Sequence, residues 1–105
     1  MDGELAQPAG GDRPRPLARV EQLAKAGKTP KIYVKGEVVS LSPLLSGLAY
    51  EIEDATGSLW IQSQRRDVAL GETLHVQGIL RRRNTEVAGL KFSEVYLEER
   101  RRVED

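Results

Sequence analysis

Cysteine is absent from this chain of 105 residues, and histidine, tryptophan and phenylalanine occur once each. Without cysteine there is no disulfide and no thiolate metal site; the compartment stays open, with a reducing one compatible. His75 has neither a cysteine nor a second histidine to join it, which argues against a metal site there. A net charge is missing too, because 16 basic residues balance 16 acidic ones. No whole-chain field therefore draws in nucleic acid or an anionic membrane, and such binding must rest on local clusters. No apolar run nears the ~18 residues of a spanning helix, and the N-terminus lacks an apolar leader core. A cytoplasmic protein with no membrane partner is expected. The scarcity of aromatics leaves Val, Ile and Leu to build the core of one small domain, with no room for a large buried active-site cavity.

What the chain does have is alternation. Residues 50–61 read as two strands with a period of two, joined by a turn in which Asp54 supplies an acceptor and Gly57 a permissive backbone. Glycine-containing strands flank this pair at 34–38 and 76–80, and an interior glycine suggests a bulge or sharp bend that lets a small sheet curl shut. Five strands are expected, over about 31–41, 48–54, 58–63, 72–82 and 89–98. The last is expected to face Leu90 and Phe92 inward, then Val95 and Leu97 after a bulge near Ser93. Residues 42–47 and 83–88 read as loops, and 64–71 is too short for more than one helical turn. Before the strands, Leu17, Val20, Leu23 and Ala24 fall on one face of a short helix, with Gly27 as its C-cap and Lys25 and Lys28 near its negative end. Residues 1–16 are too poor in large apolar groups to offset their ordering entropy and read as a disordered arm. The domain proper spans 17–98, and 99–105 reads as a charged tail or frayed helix.

The fold class that follows is mainly β: a five-stranded Greek-key barrel with a short N-terminal helix. An SH3-like barrel is the structural rival, but it has shorter strands and a one-turn helix before its last strand. The pattern Val34-x-Gly36-x-Val38, Tyr50-x-Ile52-x-Asp54-x-Thr56-Gly57-x-Leu59-x-Ile61, Gly71-x-x-Leu74-x-Val76-x-Gly78 resembles the OB-fold nucleic-acid-binding superfamily. It is most similar to the branch of anticodon-binding domains, the exonuclease VII large subunit and replication protein A subunits. The resemblance, over 17–97, implies single-stranded DNA or RNA bound across the second and third strands with little sequence preference. It also admits a protein-interaction module inside a replication, repair or RNA-processing complex.

Several side chains could carry such binding. Trp60, Gln62 and Gln64 alternate with inward Leu59 and Ile61, so they point outward, where an indole can stack on a base. The competing reading packs Trp60 under the helix or against another subunit. Arg65, Arg66, Arg81, Arg82 and Arg83 form the main basic cluster, suited to phosphate, although arginines at strand ends also protect sheet edges. Lys35 and Lys91 could extend the basic rim, although each taken alone reads better as a surface lysine. Tyr33 and His75 read as outer-face residues and Tyr50 as core. Glu51 and Glu53 share one strand face but have neither pocket nor orienting partner for acid–base work. Turn chemistry explains Asp54, Thr56 and Gly57. No cofactor motif appears, and nothing argues for an enzyme.

Overall fold

The computed structural model describes residues 13–25 and 30–103. One helix, α1 (Leu17–Lys25), precedes five strands: β1 (Lys31–Leu44), β2 (Gly47–Asp54), β3 (Gly57–Ser63), β4 (Thr73–Val87) and β5 (Leu90–Arg102). Most of the expected arm, with Gly27 and Lys28, lies outside the described residues. At the arm's end, Arg15 donates its amide to the Tyr33 carbonyl at 2.9 Å, which fastens that point to β1.

The alternation seen in the sequence sets the sheet. Ile32, Val34 and Val38 on β1, and Leu74, Val76 and Leu80 on β4, are all buried on one side of their strands. The strands close into a ring in the order β1-β2-β3-β5-β4, every neighbouring pair antiparallel except β3 and β5. That parallel seam is short, running from Trp60 opposite Tyr96 to Gln62 opposite Glu98. Tyr50, Ile52, Ile61 and Leu97 fill the interior beside the aliphatic residues already named. One end is stopped by α1, whose Leu17 and Val20 join the same cluster.

The two strand glycines act by close approach. A Cβ on Gly36 would sit 2.8 Å from the Glu53 carbonyl oxygen, and one on Gly78 would strike the Glu98 carbonyl and the Leu97 side chain. Gly78 also marks a register slip between β4 and β5, whereas the β1–β2 slip falls later, between Val38 and Ser40.

Several expected boundaries move. The loop at 42–47 shrinks to a turn at Leu45 and Ser46, and residues 83–87 continue β4 rather than forming a loop. Here β4 and β5 leave the ring as a two-stranded ribbon solvated on both faces, so hydrophobic alternation cannot report it. Their register runs unbroken from Leu80 opposite Leu97 to Val87 opposite Leu90, with no slip at Ser93. Leu90 and Phe92, expected inward, therefore face solvent, 63% and 50% exposed. The tail expected from 99 is strand as far as Arg102: Glu99 pairs with Gly78 and Arg102 with Val76. Among the described residues no helix is long and apolar enough to cross a membrane.

Candidate nucleic-acid interface

The outward face of β2, β3 and β5, with the far end of β1 and the near part of the ribbon, holds an open groove of ≈ 560 Å³. Leu44, Ala49, Trp60, Gln62, Arg83 and Tyr96 are among the residues that line it. Trp60 lies between Leu59 and Ile61, both buried, and is itself 39% exposed. Leu17 and Val20 of α1 pack into the interior, on the other side of β3 from the indole. Pairing across the parallel seam sets Tyr96 beside Trp60, and the Arg83 guanidinium stands 4.9 Å from the Tyr96 ring centre. Two aromatic side chains and one cation thus share the groove.

The other cations are arranged differently. Arg65 is ion-paired with Asp67 through its terminal nitrogen and donates from Nε at 3.0 Å. The hydrogen bond from Arg65 holds the Asp67 carboxyl below its ordinary range, and the same bond raises the arginine. Arg66 donates to the Leu44 and Leu45 carbonyls at 2.7 and 3.3 Å, pinning the β1–β2 turn. Arg81 meets Glu98 at 2.8 Å. Arg82 lies opposite Val95, one residue out of phase with Arg81 and Arg83, and so on the other face of the ribbon. Lys91 lies opposite Glu86 near the ribbon tip, and Lys35 lies opposite His75 on the β1–β4 side of the ring. Gln64 and Arg65 line a second, smaller hollow with Glu98 and Arg100, which Gln62 joins to the main groove. Of the ten residues expected to bind, the groove gathers Trp60, Gln62 and Arg83.

Tyr96 was the residue missed. Its signal was present, since Val95 and Leu97 inward place Tyr96 outward. Glu99 and Arg102 carried no signal, being charges in an apparent tail. They form a part-buried ion pair instead, Arg102 Nε to Glu99 Oε2 at 3.1 Å, with the Glu99 side chain 4% exposed and that of Arg102 11%. Tyr50 Oη donates to Glu99 Oε1 at 2.8 Å. Burial, reinforced by the Glu99 charge and hydrogen bond, pushes the Tyr50 hydroxyl far above its ordinary pKa, so it remains a donor.

On the opposite side, Tyr33 stands edge-on to His75 with ring centres 5.9 Å apart. Its hydroxyl accepts from Gln77 Nε2 at 2.9 Å and Arg101 Nη2 at 3.1 Å. No family model matches the chain, and no curated protein matches it significantly.

Proposed function

We propose that this chain is an OB-type barrel that binds single-stranded nucleic acid with modest affinity and little sequence preference. Five strands closed with one parallel seam and a β1 shared by both halves of the ring support the OB reading. One observation carries the function: an exposed Trp60 beside Tyr96, with Arg83 over the tyrosine, in one open groove. Bases stack on the two rings, while Arg83 and the Gln62 amide reach phosphate or base edges. Nothing in this arrangement distinguishes one base from another, hence the low specificity.

Since Trp60 is the only tryptophan, its emission reports on the groove alone. Oligonucleotides of single-stranded DNA or RNA should quench it, and Trp60→Ala should cost ~1–3 kcal/mol of binding with the melting temperature nearly unchanged. Emission indifferent to oligonucleotide would remove the stacking mechanism.

A second reading, a protein-interaction module of a nucleic-acid-processing complex, is favoured by the β1–β2 turn, where Leu45 is fully exposed next to groove-lining Leu44. Salt separates the two readings, because phosphate contacts weaken steeply with ionic strength and an apolar contact does not.

A further inference from the structure

Among the described residues the ribbon leaves an open strand edge. β1 accompanies β4 only as far as Lys31 opposite Ile79, after which the Pro30 carbonyl accepts the Leu80 amide at 2.9 Å. Beyond that point no strand among the described residues pairs with this edge of β4, while β5 occupies the other edge through Val87 opposite Leu90. Backbone groups in a strand point alternately to its two edges. Because the Leu80 amide points to the β1 side, residues 82, 84 and 86 present their amides and carbonyls to the open edge. Such an edge templates pairing with another strand.

We propose that a second copy of this chain pairs with this edge, antiparallel, β4 against β4, about a two-fold axis at Asn84. In that register Arg82 faces the second copy's Glu86, and Glu86 faces its Arg82, so both symmetry-related pairs oppose unlike charges on the same face. Centring the pair on Arg82, Arg83 or Glu86 would oppose like charges, and centring it on Thr85 would give no ion pair. The open edge of β5, at 91, 93 and 95, paired with its own copy offers no register that joins unlike charges. The run of arginines would repel a basic strand, yet the glutamate four residues after Arg82 makes the edge complementary to itself.

The exposed apolar side chains fit the same arrangement. Val87 and Leu90 lie opposite one another, 57% and 63% exposed. The two-fold sets Val87 against the second copy's Arg81, whose cross-strand neighbour is Tyr96. The row then runs Leu90, Val87, Arg81 stem and Tyr96 ring, and covers both apolar groups.

Sedimentation of the nucleic-acid-free chain across a range of concentrations tests this. Wild type should shift from monomer toward twice the mass as concentration rises. Asn84→Pro should remain monomeric with its circular dichroism intact, because the lost amide points away from β5. Glu86→Arg alone and Arg82→Glu alone should each remain monomeric, whereas their equimolar mixture should form a heterodimer with the charges matched. A wild type that is monomeric at every concentration would overturn the proposal and leave the edge to an extended segment of a different protein. A dimer untouched by Asn84→Pro or by either charge variant would also overturn it. Because the chain is free of nucleic acid in this experiment, its outcome is read independently of whether the groove binds oligonucleotide.

Discussion

Asp54 shows how much one turn residue can hold. Its Oδ1 accepts from the Thr56 amide at 2.7 Å, the Thr56 hydroxyl at 2.6 Å and the Gly57 amide at 3.0 Å, and its Oδ2 accepts from the Leu17 amide at 3.0 Å. Thr56 Oγ1 accepts from the Ala18 amide at 3.1 Å. Helix α1 is therefore capped by a remote turn, because Pro16 at its start has no side-chain acceptor. Partial desolvation pushes the Asp54 carboxyl up, but these hydrogen bonds outweigh it and hold the group below its ordinary range. With the folded value depressed, its stabilisation is complete above the unfolded value of about 3.9 and fades as pH falls through the folded one. Asp54→Ala should cost about 1 kcal/mol at neutral pH and flatten the acid limb of the stability curve, as read by thermal melts from neutral pH downward. The Glu99–Arg102 pair is deeper, with side chains 4% and 11% exposed. Glu99→Ala leaves the Tyr50 hydroxyl without its acceptor and Arg102 with only the more distant Asp67 carboxylate at 3.8 Å, and should cost about 3 kcal/mol in urea unfolding.

Among the elements, the ring strands were legible because each has one wet face and one dry face. Val34, Val38, Leu74 and Val76 announced their side by period alone, and Leu17 and Val20 did the same for α1. The ribbon was not legible, since Arg83 to Glu94 contact water on both sides and no core imprints a period on them. The end of β5 was hidden for the opposite reason: Glu99 and Arg102 enter the interior as a neutralised pair, a pattern that reads as a solvated run. In the groove, Trp60, Gln62 and Arg83 followed from alternation or charge. The ion pairs that occupy Arg65 and Arg81 depend on Asp67 and Glu98, and sequence gives no reason to prefer those partners. Interior glycine was informative about space. Gly78→Ala would push a methyl onto Glu98 and Leu97 and should cost ~1–3 kcal/mol. Gly57→Ala, whose Cβ would meet its nearest neighbour at 3.6 Å, should be near neutral in the same denaturation experiment.

At the scale of the molecule, charge is balanced twice, once in composition and again in pairing. Arg65 and Arg81 already have carboxylate partners, and Arg66 is committed to backbone carbonyls. Five arginines acting together on a single strand would give a salt slope of about −3.5 in log–log form, at roughly 0.7 per phosphate. With Arg83 as the cation of the groove among the described residues, the slope should be about −0.7, measurable by Trp60 quenching at several salt concentrations. Arg83→Ala should bring it close to zero.

The three-pair seam between β3 and β5 also sets an order of assembly. β1, β2 and β3 are sequential and joined by tight turns, so that meander forms from local pairings. β4 and β5 form a hairpin just as local. The ring needs two long-range dockings, β4 onto β1 and β5 onto β3, and loop closure must come before either contributes. During synthesis the seam waits for Tyr96 to Glu98, and until they arrive the inner faces of the meander are wet. Tight turns alone do not make such a chain a fast folder. Refolding should show a single slow closure step, and Leu97, buried on the seam between Tyr96 and Glu98, is the side chain whose shortening would slow it most.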